Sequence, residues 1–110
     1  MYIMIVLYPQ PKDQQAFRAY YAATHVPLVT KLPGLRAYRY AFDVSTPLGA
    51  SPYFCIFEAE FDDRAAVMNA MASSEGQALA ADVSNYSPAG ATMLMFDVHD
   101  RGELIPSIAR

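Results

Sequence analysis

The chain has almost no cysteine. Its single residue, Cys55, excludes an internal disulfide, and with His25 and His99 as the two histidines there is no Cys/His spacing for a zinc site. A reducing cytoplasm is the expected setting. Long apolar runs are also missing: Ile3 to Leu7 falls far short of the roughly 20 residues a membrane helix needs. The N-terminus carries neither a basic region nor a cleavage site, so no signal peptide is expected. The eight Lys and Arg are scattered and the net charge is −3, which leaves no electrostatic footprint for nucleic acid or an anionic membrane. No Gly-x-Gly-x-x-Gly follows the first strand, there is no P-loop, and no helix carries two His, or His and Glu, at metal-ligand spacing. Nothing here suggests nicotinamide, flavin or a metal, and no cofactor is assigned.

What the chain does hold is apolar surface. Its 110 residues suffice for one domain, and 54% are hydrophobic against 17% charged. In so small a domain that excess either faces water as a patch or is covered by a partner. Cover by a partner is the expectation.

Met1 to Tyr8 reads as a strand, apolar on both faces and ended by Pro9 and Pro11. Asp13 suits the N-cap of a helix reaching about Thr24, with Phe17, Tyr20, Tyr21 and Thr24 as its apolar stripe and Leu28 continuing it. Val26 precedes Pro27, which disfavours helical angles. A break is therefore expected near His25, with Pro27 opening a short extra turn. After the Pro33-Gly34 turn, Leu35 to Val44 reads as the second strand, with Arg36, Tyr38, Tyr40 and Phe42 on one face. Ser45 to Pro52 reads as a loop and Tyr53 to Phe61 as the third strand. Asp62 or Asp63 caps a helix to about Ala72, and Ser74 and Gln77, at capping-box spacing, open another to about Val83. Ala91 to Val98 is the last strand, and Leu104, Ile105 and Ile108 predict a docked tail.

This βαββαβ order is an α+β, ferredoxin-like arrangement: a four-stranded antiparallel sheet with helices on one face. The bare face is apolar too, which predicts a homodimer packed through the open sheet faces.

Two runs carry a family resemblance. Tyr21, His25, Pro27 and Leu28 form Tyr-x-x-x-His-x-Pro-Leu, and Ser73, Glu75, Gly76, Ala78, Asp82 and Asn85 form a second, longer pattern. Together they resemble the EthD family of dimeric α+β barrels over roughly residues 2 to 98. Residues 1–99 are thus read as one EthD-like domain and 100–110 as a tail. The resemblance implies a ferredoxin-like dimer, and the "reductase" label of many members implies an oxidoreductase. Neighbours in the wider barrel group include cofactor-independent lactone isomerases, polyketide cyclases, dehydratases and monooxygenases. They imply proton transfer in an apolar pocket between helices and sheet. In methylmuconolactone methylisomerase-like relatives, a histidine and a tyrosine at positions resembling His25 and Tyr38 are the proposed acid/base pair. Some dimeric barrels bind haem through a histidine, which leaves haem at His25 open.

His25 is the first catalytic candidate, because an imidazole with an unperturbed pKa near ~6.5 gives or takes a proton at neutral pH. The competing reading is a histidine that caps its helix by bonding a terminal carbonyl. Tyr38 is second, as a hydroxyl that donates to a substrate oxygen. Tyr21, one turn before His25, could orient its ring; Tyr40 and Asn85 complete the substrate-binding set, though Tyr40 also reads as a core or interface aromatic. For Asp82, local hydrogen bonding at a helix end is favoured over a pocket role. Arg36 and Arg39 are read as salt-bridge partners of Glu58 and Glu60, and Cys55 as core. The resulting expectation is an acid/base enzyme of isomerase, cyclase or dehydratase type acting on a small hydrophobic or aromatic compound. The alternatives are an oxidoreductase or monooxygenase with or without haem, a non-catalytic binding protein, and a dimerising module without ligand.

Overall fold

β1 (Tyr2–Pro9) runs through the middle of an antiparallel sheet, between β5 (Tyr53–Phe61) and β6 (Thr92–Asp97), with β2 (Ala37–Ala41) outside β5. The computed structural model in which this is seen describes residues 1–104. The strand order β2-β5-β1-β6 is the ferredoxin-like arrangement, and the sheet stays open rather than closing into a barrel.

Register decides which side chains reach the helices. Met4 lies opposite Ala59 and Met95, Val6 opposite Phe57 and Met93, and Tyr8 opposite Cys55. Tyr38 and Tyr40 lie opposite Ala59 and Phe57. Alternation sends this set to the helix side, where Met4, Val6, Tyr8, Cys55, Phe57 and Ala59 build the core while Tyr38, Tyr40 and Met93 stay exposed. Ile5, Leu7, Ile56, Leu94 and Phe96 fall on the other face, where Leu94 and Phe96 are 52% and 44% exposed. Arg39 pairs there with Glu58 and Glu60, whereas Arg36 turns to Asp62 at 3.4 Å.

The helix side departs from expectation at Pro27. Asp13 caps α1 (Gln14–Tyr20) by accepting from the Ala16 N–H. The chain then makes a five-residue π turn, Tyr21–His25, and runs on into α2 (Val26–Val29) without a break. Val26 keeps helical angles (φ −59°, ψ −42°), and its N–H reaches back to the Tyr21 carbonyl. Pro27 has no N–H, and its ring crowds the turn before it; the wider π turn gives that ring room. The extra residue also rephases the buried stripe to Phe17, Tyr21, His25, Val26 and Val29, leaving Thr24 exposed.

Gly34 makes the turn into β2 at φ +77°. The segment read as a loop holds a small hairpin, β3 (Ser45–Thr46) with β4 (Gly49–Ala50), and the tip residue Leu48 is fully exposed. Asp63 caps α3 (Arg64–Ala72). Ser73, not Ser74, caps α4 (Ser74–Tyr86), accepting from the Gly76 N–H. A Cβ on Gly76 would stand 2.1 Å from the Ala70 carbonyl oxygen, so α3 and α4 can meet this closely only at glycine. α4 runs three residues past the expected end at Val83, a difference that matters below. Leu104 is fully exposed rather than docked, and Ile105 and Ile108 lie outside the described residues. Among the described residues no helix is long and apolar enough to cross a membrane.

Candidate active site

The π turn and α4 bring two polar side chains together inside the apolar layer. His25 Nδ1 lies 2.9 Å from Asp82 Oδ2, with His25 4% and Asp82 8% exposed. His25 is carried inward because it follows Tyr21 by four residues on the rephased stripe. On α4, Leu79, Asp82, Val83 and Tyr86 recur at helical spacing and form its inward face. Asp82 Oδ1 accepts from the Tyr20 hydroxyl at 2.6 Å and from Asn85 Nδ2 at 3.0 Å.

These bonds set the protonation states. Burial by itself would raise the Asp82 carboxyl, but hydrogen bonds from Tyr20, Asn85 and His25 outweigh it and hold Asp82 below the usual carboxylate range. Burial lowers His25, against the pull of Asp82, so the imidazole is neutral at neutral pH. An ionised carboxylate only accepts, so Nδ1 carries the imidazole proton and Nε2 is bare. Nε2 meets the Tyr86 hydroxyl at 3.1 Å.

Tyrosines extend the network. The Tyr86 and Tyr8 hydroxyls are 2.9 Å apart, and the Tyr21 hydroxyl is 3.5 Å from Tyr8. Tyr21 is fully buried, with its ring stacked on His25 at 5.1 Å. Burial pushes the hydroxyls of Tyr8, Tyr21 and Tyr86 up, so none of them rests as tyrosinate. Burial likewise pushes the Cys55 thiol up to about 12, which makes it a core residue and no nucleophile.

Beside His25 and Tyr8 lies a cavity of about 250 Å³. The rest of its wall is apolar, with Met4, Val29, Phe57 and Met93 prominent. Among the described residues it is lined by no Lys, Arg, Asp or Glu, which suits an uncharged ligand. Haem does not fit His25 as it stands. An axial ligand needs a free lone pair, and the one lone pair of the neutral ring, on Nε2, is taken by the Tyr86 hydroxyl. Among the described residues no group of three or more His, Cys, Asp or Glu could hold a metal ion.

The other sequence candidates scatter. Tyr38 does not line the cavity. It sits on β2 at the sheet edge, 37% exposed, with its ring over Phe57 at 6.2 Å. Tyr40 packs edge-on against Tyr21 at 5.4 Å and also stays off the cavity wall. Asn85 acts on Asp82, from a separate groove on the protein surface. Asp82, read as a local helix-end residue, is instead the partner of His25. Tyr86 and Tyr8 lie outside the sequence candidates. The signal for Tyr86 is the i, i+3, i+4, i+7 recurrence from Leu79, which a helix ending at Val83 leaves out.

A family model for the EthD domain matches residues 9–88. The chain belongs to the EthD family. Among its relatives is the uncharacterised 11.0 kDa protein in the thcB–thcC intergenic region of Rhodococcus erythropolis. The two are 36% identical over 99 residues, covering 88% of this chain and 94% of that one. The crystal structure of an ethyl tert-butyl ether D (EthD) family protein from Bacillus halodurans superposes with a TM-score of 0.84 at 35% identity, over 89% of this chain and 98% of that one. A dimeric ferredoxin-like protein from Thermobifida fusca shares the fold at TM-score 0.68 and 16% identity, over 88% of this chain and 90% of that one. Of the two EthD-resembling runs, the first supplies Tyr21 and His25 and the second Asp82 and Asn85. The runs thus meet at one buried network.

Proposed function

We propose that this EthD-family protein is a homodimeric acid/base enzyme that moves a proton on a small, neutral, largely apolar carbonyl compound, without a cofactor. The observation that carries the reading is the buried His25–Asp82 pair at the wall of an apolar cavity. The carboxylate holds the imidazole in one tautomer, and the apolar wall strengthens the pull of the network around His25 on a substrate proton. Isomerisation, cyclisation and dehydration all begin with such a transfer.

The dimer reading rests on the bare sheet face. Ile5, Leu7, Ile56, Leu94 and Phe96 form an apolar surface that a second copy would cover. The Thermobifida fusca neighbour of the same fold is described as dimeric.

The test is carbon–hydrogen exchange. A panel of neutral cyclic ketones and lactones is incubated with the protein in D₂O, and loss of the α-proton signal is followed by NMR. Wild type should accelerate exchange for those panel members that bind, and His25→Ala should slow it by about 10²-fold or more while binding persists. Bound panel members that exchange no faster than in buffer would sink the enzyme reading and leave a protein that only holds its ligand.

A further inference from the structure

The direction of the hydroxyl chain is set by Asp82. Nδ1–H faces the carboxylate, so Nε2 must accept, and the Tyr86 hydroxyl must be the donor at that 3.1 Å contact. A phenol has one proton. Once Tyr86 has given its own to Nε2, the 2.9 Å contact with Tyr8 can only be filled by Tyr8 donating to the Tyr86 oxygen. Tyr21 then donates to Tyr8 across 3.5 Å, the longest bond of the set. Every proton in the network thus points toward Asp82.

The cavity sees the far end of this chain. Among the described residues that line it, only Tyr8 and His25 carry polar nitrogen or oxygen in the side chain. Both nitrogens of His25 are taken. Tyr8 is not saturated: its proton goes to Tyr86, one lone pair faces Tyr21, and one lone pair remains. A ligand therefore meets an acceptor at Tyr8, not a donor and not the imidazole.

We infer that Tyr8 is the group that contacts the ligand's reacting oxygen, that Tyr86 relays the proton, and that the ligand is a neutral apolar carbonyl compound met as its enol, for which a phenol is a stable stand-in. This rests on the reading of the cavity as an acid/base site and specifies its substrate. The step balances without any added reactant. The ligand O–H proton passes to the Tyr8 oxygen, the Tyr8 proton to Tyr86, and the Tyr86 proton to His25 Nε2. The products are a ligand oxyanion and an imidazolium paired with the Asp82 carboxylate. Each hydrogen bond from the ligand to Nε2 has then reversed, so Tyr8 donates to the oxyanion it created, while Nδ1–H still faces Asp82. The acidity of the buried phenols agrees: burial keeps each tyrosinate out of reach, so the protons move in concert.

Two probes separate this proposal from the reading beneath it: 4-nitrophenol, whose phenolate absorbs in the visible, and 4-nitroanisole, which has no proton to give. At a pH where free 4-nitrophenol is mostly protonated, binding should raise its phenolate-to-phenol ratio about tenfold or more, the equivalent of one pKa unit. Tyr8→Phe and Tyr86→Phe should each abolish that rise while still binding 4-nitroanisole. A measurement on the wild-type protein needs no variant. The ¹⁵N shifts of His25 should report the neutral Nδ1–H tautomer in the free protein and imidazolium with 4-nitrophenol bound. An Nε2–H tautomer in the free protein, or an unchanged ionisation gain in Tyr86→Phe, overturns the relay and leaves the cavity reading intact. Failure to take up either probe overturns both.

Discussion

Replacing Asp82 by asparagine tests the logic of the site most directly. The wild-type carboxylate receives three hydrogen bonds, from Tyr20 at 2.6 Å, Asn85 at 3.0 Å and His25 at 2.9 Å. The amide of Asp82→Asn has one oxygen and one NH₂. With its oxygen toward Tyr20 and Asn85 it keeps two bonds, and its NH₂ then faces His25 Nδ1. With the amide turned over, its NH₂ would confront the NH₂ of Asn85. The first orientation wins, and it forces His25 into the opposite tautomer, with the proton on Nε2. Bonds to a charged group contribute about 1.5–3 kcal/mol and neutral ones about 0.5–1.5, so the lost charge weakens the three by about 3 kcal/mol in all. Relief from burying a carboxylate offsets part of this. A net loss of about 1–2 kcal/mol is expected, which for a domain of this size lowers Tm by roughly 5–15 °C. Proton exchange should fall far more than stability, by about 10²-fold or more, because the remaining histidine offers the wrong nitrogen. Urea unfolding, ¹⁵N spectra and the D₂O exchange assay read the three effects. An Asp82→Asn protein that keeps the Nδ1–H tautomer and wild-type exchange would refute the assignment of Asp82 as the group that sets the network.

Stability should fall in acid in two stages. His25 is lowered by burial, so the unfolded chain takes up its proton first; the His25 contribution is complete above about pH 6.5 and is lost as pH drops toward the folded value. Asp82 is also lowered, so its contribution is lost only below about pH 4. Urea midpoints measured between pH 8 and pH 5 should decline, and His25→Asn should flatten that decline; parallel curves would contradict the burial argument. Gly76→Ala should destabilise by about 3 kcal/mol or more, since its Cβ would meet backbone rather than a movable side chain. A wild-type melting curve for that variant would mean that α3 and α4 are not held at this distance. Leu94→Asp on the bare sheet face should shift the protein from dimer to monomer in sedimentation without unfolding it, and a monomeric wild type would remove the premise.

Fold was legible because it rests on periodicity and on stop signals local to the chain. β5 could be read to the residue from its apolar start and alternating end, Asp13 caps its helix as its position predicted, and of the two candidates Asp62 and Asp63 the second caps the next helix. The two-residue period sorted the strand residues into two faces, but with both faces apolar it left open which one meets the helices. The motif positions Tyr21, His25, Asp82 and Asn85 were visible as well, although not their connection.

Connection is what tertiary structure decided. His25 and Asp82 are 57 residues apart, and no spacing rule links a residue on one helix to a residue on another. Local rules also misread both elements. The residue before a proline disfavours helix in isolation, yet packing of Phe17, Tyr21 and Val29 against the sheet keeps the helix going, and a π turn absorbs the misfit. His25, four residues after Tyr21, shares its buried face. Ending α4 at Val83 hid Tyr86, because Ser84 and Asn85 look like a helix end until Tyr86 is seen to fall on the buried face. Tyr38 was favoured from the strand pattern and the family resemblance, which give the face of a strand but not its distance from a helix. The sequence by itself determined the four main strands, the helices between them and their order, because these depend on neighbours along the chain. Which tyrosines join His25, and which nitrogen of its ring bears the proton, depended on how the helices pack against the sheet.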